Sequence, residues 1–154
     1  MKKILVVVMV LTLATMAAAQ KHKTNPASAR QVVISQDAPK PIGPYSQAIK
    51  AGGLVFVSGQ VAFDPATGKV VEGDIKVQTD RVMKNLSAIL AAAGTSMDRV
   101  VRATIFLKNI SDYPAMNETY GKFFTGAPQS RSTIGVANLP RAEALVEIDL
   151  IALQ

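Results

Sequence analysis

The strongest constraint on the fold is a change of period in the middle of the chain. From Asp74 to Ala93 the apolar residues Ile75, Val82, Leu86, Ile89, Leu90 and Ala93 recur at helical spacing, and Gly94 stands where a helix-terminating glycine belongs. On either side the pattern is that of strands. Gly53-Leu-Val-Phe-Val-Ser58 is β-branched and aromatic and ends at Gly59, and Arg99-Val-Val-Arg-Ala-Thr-Ile-Phe-Leu107 reads as a long strand. A helix inserted between strands of this kind must cover a sheet rather than join a bundle.

The remaining segments extend that frame. Arg30–Ser35 reads as a first strand, and the Pro- and Gly-rich Ala38–Pro44 as irregular chain. Asp64-Pro-Ala-Thr-Gly68 carries turn residues between two short strands. Asp112 to Phe124 returns to helical spacing, with Tyr113, Met116, Tyr120, Phe123 and Phe124 as its apolar face and Pro114 in its first turn. Strands are expected at roughly 132–138 and 144–153. The order β-β-β-α-β-α-β-β predicts an α+β domain with two helices on one face of a mixed sheet. The uncovered face keeps apolar residues and is expected to pack against another subunit.

The first nineteen residues stand apart. Met1-Lys2-Lys3 is a basic start, Ile4 to about Met16 is apolar, and Ala17-Ala18-Ala19 offers small residues for cleavage. The expectation is a cleavable signal peptide over 1–19, a flexible polar leader over 20–29, and one domain over 30–154. Export to the periplasm or the medium follows, with no stable membrane association after cleavage. Loss of Lys2 and Lys3 lowers the net charge from +6 to +4, which favours small anions and is too weak to imply nucleic acid. There is no cysteine, and the single histidine, His22, lies in the polar leader. Thiol and iron–sulfur chemistry and the usual zinc sites therefore have no ligands, and no metal or cofactor is expected.

With those side chains missing, attention falls on two charges near the C-terminus. Arg131 opens Arg131-Ser-Thr-Ile-Gly-Val136, where alternation puts Thr133 and Gly135 on its side and Ile134 and Val136 on the other. Arginine offers a permanently charged planar fork that matches a carboxylate. Glu147 lies in the next strand, on the face opposite Val146, Ile148 and Leu150. Burial there would raise its pKa toward a range suited to exchanging protons with water. Together the pair is expected to hold a small anion and a water. Val57-Ser58-Gly59-Gln60 adds a strand-end glycine that permits close backbone approach, and Ile42–Ala48 forms a stiff loop presenting Tyr45.

These words, in this order and spacing, resemble the RidA (YjgF) family. The likeness rests on Gly43-Pro-Tyr45-Ser-Gln-Ala48, Val57-Ser-Gly-Gln60, Asn117-Glu-Thr-Tyr120 with Phe123-Phe124, and Arg131-Ser-Thr133 leading through Leu139-Pro140 to Val146-Glu147-Ile148. It spans about Asp37 to Leu153. The resemblance implies a chorismate-mutase-like (bacillus-type) fold, a homotrimer with a site in each cleft between subunits, and cofactor-independent hydrolysis of 2-imino and enamine acids such as 2-iminopropanoate and 2-iminobutanoate. It implies that Arg131 binds the substrate carboxylate, that Glu147 stands by the attacking water, and that Tyr45, Ser58, Gly59 and Asn117 line the cleft. Thr133 falls where deaminating relatives often have cysteine. The chain departs from the family pattern in a shorter segment between Phe124 and Arg131, in a proline (Pro128) one position further from that arginine, and in its export signal.

The expected activity is hydrolytic deamination. The alternative is a non-enzymatic binder of small carboxylates that uses Arg131 and needs no role for Glu147. An RNA-cleaving or chaperone-like role, proposed for some relatives, draws little support from scattered cations and from aromatics set at helical core spacing.

Overall fold

The computed structural model describes residues 29–154, so the expected signal segment and all of the leader but Ala29 lie outside the described residues. Six strands form one sheet: β1 (Gln31–Val33), β2 (Ala48–Ala51), β3 (Leu54–Gln60), β4 (Val100–Leu107), β5 (Ser130–Gly135) and β6 (Val146–Leu153). Two α-helices, α1 (Ile75–Ala92) and α2 (Tyr113–Gly121), complete the expected α+β order. The spatial order is β1-β2-β3-β6-β4-β5, with β4 and β5 parallel and every other pair antiparallel. No helix among the described residues is long and apolar enough to cross a membrane.

The central helix forms where its period placed it, and both ends show why. Asp74 Oδ1 accepts from Val77 N–H at 3.0 Å, satisfying one of the free donors of the first turn. At the other end Thr95 N–H reaches Leu90 O and Gly94 N–H reaches Ala91 O, the paired bonds that close a helix on a glycine. Val82, Met83, Leu86, Ile89 and Leu90 are fully buried against Val55 and Val57 of β3, Ile105 of β4, and Val146, Ile148 and Leu150 of β6. Burying each such side chain contributes about 1.5–3 kcal/mol.

β3 forms over the expected Gly53–Ser58 segment, but β2 is not among the expected strands, and the two short strands expected around Asp64–Gly68 do not form. Ala48–Ala51, short of β-branched residues, is a strand because Gly52 and Gly53, both at positive φ (59° and 78°), make the two-residue turn that pairs it with Leu54–Val57. The chain around Asp64–Gly68 forms only a single bridge, Phe63 to Val70. There Asp64 Oδ1 takes the N–H groups of Ala66 and Thr67 at 2.8 and 3.0 Å, which favours the turn over a ladder. The first strand ends early, since the buried Gln47 side chain captures both the N–H and the carbonyl of Ser35. Helix α2 is also shorter than its apolar spacing suggests. Its last turn tightens through Phe123 N–H to Tyr120 O, and Phe123 and Phe124 continue onto the core outside the helix.

Both helices lie on one face. The other face carries Phe56 (42 % exposed), Ile134 (47 % exposed) and Leu153, with Leu54, Phe106 and Ile151 half-buried between them. This is the uncovered apolar face that the strand alternation predicts.

Candidate functional site

The expected site residues gather in two places, on opposite faces of the sheet. Arg131 pairs with Ala103 and Thr133 with Ile105 in the parallel β4–β5 ladder, so both point to the helix-covered side. Glu147 pairs with Phe106, between the buried neighbours Val146 and Ile148, so it points to the open side. Within one chain Arg131 and Glu147 therefore do not meet. They are neighbours along the sequence, but β6 runs between β3 and β4, while the β4–α2–β5 crossover carries β5 to the outer edge. Adjacency along the chain therefore does not bring the two side chains together within one copy.

The Arg131 half is built on aromatics. Its guanidinium carbon lies 5.0 Å from the Tyr120 ring centroid and 5.7 Å from that of Tyr113, and Nη2 donates to the Tyr113 hydroxyl at 3.0 Å. Contacts of this kind stabilise and orient a guanidinium without neutralising it. No carboxylate among the described residues pairs with it. Tyr120 is fixed in turn by Phe124, whose ring centroid is 4.9 Å away, and by a hydrogen bond from Gln129. Burial pushes the Tyr120 phenol up to about 12, so it stays neutral. Tyr113 moves the other way, its pKa lowered first by the Asn117 side chain and then by the Arg131 charge. Arg131, Asn117, Tyr120, Phe124 and Pro128 line a cavity of about 470 Å³. Asn117 Oδ1, on a residue of the same cavity, and Thr133 Oγ1, two residues from Arg131 on the same strand face, are buried without a protein partner. A buried polar atom left this way costs about 1–3 kcal/mol unless a ligand or water satisfies it.

The Glu147 half is built on a backbone irregularity. The β3–β6 register shifts between Val57 and Gln60, which leaves Ser58 and Gly59 in a bulge. Gln60 Nε2 clamps that bulge by donating to the carbonyls of Ser58 and Gly59, each at 3.1 Å. The Glu147 carboxyl lies directly on Gly59. A Cβ at that glycine would sit 2.9 Å from Glu147 Cδ, so only glycine leaves room for this placement. The carboxyl pKa is raised, chiefly by burial and secondarily by Asp149. It borders a cavity of about 350 Å³ that Tyr45, Ser58, Gly59 and Arg141 also line. Ser58 Oγ is engaged in holding the neighbouring loop, donating to Ser46 O at 2.7 Å, and the Tyr45 hydroxyl accepts from Ile42 N–H at 3.3 Å. Buried Gln47 anchors the same loop through Ser35 and through Pro39 O at 2.9 Å.

Tyr45, Ser58, Gly59 and Glu147 are thus one group, and Asn117, Arg131 and Thr133 the other. Sequence reasoning misses Tyr113, which it assigns to the apolar face of a helix. The residue is 38 % exposed, and its hydroxyl faces Arg131. The signal that could find it is its position one helical turn before Asn117, since residues four apart share a helix side. Gln47 and Gln60 stand inside two of the sequence motifs with no role assigned to them there, and both fix the backbone around the Glu147 cavity.

Comparison with known proteins agrees with this arrangement of motifs. The family model described as Endoribonuclease L-PSP matches residues 35–154. Protein DfrA of Myxococcus xanthus is 52 % identical over 126 residues, covering 80 % of this chain and 95 % of its own. Reactive Intermediate Deaminase A, chloroplastic, of Arabidopsis thaliana is 45 % identical over 123 residues, covering 80 % of this chain and 65 % of its own. A crystal structure of the Rid-family protein YyfA from Yersinia pestis superimposes with a TM-score of 0.79 at 45 % identity, covering 82 % of this chain and 100 % of that one. The chain belongs to the Endoribonuclease L-PSP family, the RidA (YjgF) family that its motifs resemble.

Proposed function

We propose that this protein hydrolyses reactive 2-imino and enamine acids to 2-oxo acids and ammonia, at a site completed between copies of the chain. The observation that carries the reading is Arg131. It is a cation in contact with two tyrosine rings, lacking a carboxylate partner among the described residues, and two residues along the same strand face from the buried, unpartnered hydroxyl of Thr133. That is a receptor for a small organic anion. The apolar open face supports assembly, because a contiguous patch of this kind is covered in oligomers. A homotrimer in which the Arg131 edge of one copy faces the Glu147 cavity of the next reunites the two halves. The proposed setting is outside the cytosol, after removal of residues 1–19.

In the reaction, Arg131 pairs with the substrate carboxylate, a charge-assisted contact worth about 1.5–3 kcal/mol. The enamine tautomerises to the imine, which exposes an electrophilic C2. Glu147, its carboxyl held against Gly59, accepts a proton from a water as the oxygen bonds to C2 and the C=N electron pair moves to nitrogen. The proton passes to nitrogen, giving the neutral carbinolamine; its hydroxyl proton is then transferred to the amine by way of the carboxyl, the C2–N bond breaks, and the carbonyl forms as ammonia leaves. The Gly59 N–H donates to the polarity that develops in the carbinolamine. Imines hydrolyse unaided in water, so positioning and proton handling suffice without histidine, thiol or metal. The test is ammonia release from freshly generated 2-iminopropanoate. Acceleration by the mature chain, lost in Arg131→Ala and strongly reduced in Glu147→Gln, is expected. Carboxylate binding with no acceleration would leave a binder instead of an enzyme.

A further inference from the structure

Tyr113 has a valence that the proposed reaction does not use. Its phenolic oxygen accepts from Arg131 Nη2 at 3.0 Å, and the Asn117 side chain, one helical turn away, is its other polar neighbour and the leading cause of its acidification. A phenol oxygen that accepts from the guanidinium keeps its own O–H to give. Arg131 excludes that proton from its own direction, since a guanidinium is donor-only. The O–H is therefore left to donate away from the guanidinium, on a residue that is 38 % exposed.

Resting on the reading of Arg131 as an anion receptor, we infer that Tyr113 is a substrate-binding residue: its hydroxyl donates a hydrogen bond to the carboxylate that Arg131 clamps, which selects for ligands carrying a carboxylate next to C2. The geometry is direct. A carboxylate oxygen on the free edge of the guanidinium lies within hydrogen-bond reach of a hydroxyl already 3.0 Å from Nη2. One oxygen then takes two donors, from the arginine and from the phenol. The position is held at both ends, because Tyr113 begins α2 next to Pro114, and the Tyr120 ring lies 5.0 Å from the guanidinium carbon. Thr133 Oγ1, buried on the same strand face two residues from Arg131, is a further donor for the second oxygen. The arrangement gives the carboxylate neutral donors besides its one cation, so selectivity does not depend on charge alone.

Tyr113→Phe removes one hydroxyl and keeps the ring over the guanidinium. Binding of pyruvate, the 2-oxo acid product of 2-iminopropanoate, is measured by calorimetry on the mature wild-type chain, Tyr113→Phe and Arg131→Ala. Kinetics of ammonia release are measured in parallel. The expected result is pyruvate affinity weakened roughly tenfold in Tyr113→Phe, a matching rise in KM, and kcat within about twofold of wild type. Binding in Arg131→Ala should be undetectable. Wild-type affinity in Tyr113→Phe beside lost affinity in Arg131→Ala overturns the role of Tyr113 and leaves the arginine site standing. A fall in kcat with KM unchanged also overturns it, because the hydroxyl would then serve the leaving nitrogen. Retained binding in Arg131→Ala removes the arginine site itself, and this inference with it.

Discussion

The Arg131 edge and the Glu147 bulge solve the same problem by different means. At the edge a charged side chain is steadied by other side chains: two tyrosine rings, a phenol oxygen and a helix that crosses from β4 to β5. At the bulge a carboxyl is steadied by backbone that has made room for it, with Gln60 holding the irregularity open and Gly59 offering no side chain. The first is a guanidinium, a cation by residue type, whereas the second has its proton affinity raised by where it sits. A permanent cation suits the task of gripping an anion, and a tunable acid suits the exchange of a proton with water. Placing the two on opposite faces means that neither is neutralised by the other inside one chain.

That separation gives the largest expected effect. Arg131→Ala and Glu147→Gln should each lower ammonia release by about 100-fold or more. If each site takes its arginine from one copy and its glutamate from the next, the two inactive variants should complement. After unfolding and refolding together in equal amounts, one interface in four draws both intact residues, so activity should return to roughly a quarter of wild type. Mixtures that stay as inactive as their parts would mean that the halves do not face each other across a subunit boundary.

The Gly59 position separates placement of the carboxyl from its presence. In Gly59→Ala the new methyl would displace the flexible end of Glu147 while leaving backbone that alanine accepts. Activity should fall by about 30- to 100-fold, with thermal stability changed by less than ~1 kcal/mol. A large loss of stability with activity retained per folded molecule would show that the glycine serves the bulge and not the carboxyl. Gln47 should behave in the opposite way. Gln47→Ala strips partners from the Ser35 N–H and the Pro39 carbonyl in a buried setting, and should cost about 2–3 kcal/mol of stability. Denaturant unfolding reads this directly, and a cost under ~0.5 kcal/mol would mean that the loop is held by other contacts.

The sequence makes the covered face legible because covered faces are periodic. Val82, Leu86, Ile89 and Leu90 announce α1, and the alternation of Val146, Ile148 and Leu150 with Glu147 is enough by itself to place the carboxyl on the open side. What alternation cannot give is which strands lie side by side. Segments carrying Arg131 and Glu147 follow one another along the chain, yet β4 separates them in the sheet, a fact that rests on the crossover through α2. The β2 strand is hidden for a related reason. Its identity depends on a partner and on the Gly52–Gly53 turn more than on its own residues. Tyr113 is misread because helical spacing marks a side of a helix and does not say whether a core or a guanidinium waits there.

The smallest expected effect tests the electrostatics of the bulge. The folded-state pKa of Glu147 is raised above the ordinary carboxyl value of 4.5 by burial and by Asp149. The folded chain therefore retains a proton that the unfolded chain releases. Stability contributed by this group is full below the unfolded value, and is lost as pH rises through the raised folded value. The amide introduced by Glu147→Gln does not titrate, so the variant should match wild type near pH 4 and exceed it at pH 7.5. Since the carboxyl is only half-buried, solvent screening limits the gain to about 0.5 kcal/mol. Melting curves at the two pH values measure the difference. A wild type more stable than the variant at pH 7.5 would reverse the sign, and would require a cation close enough to Glu147 to outweigh its desolvation. Arg141 borders the same cavity within the chain, and Arg131 of a neighbouring copy would reach it in the proposed assembly. Repeating the comparison in an Arg131→Ala background separates them: a reversal that disappears there locates the cation on the neighbouring copy, and one that persists leaves Arg141.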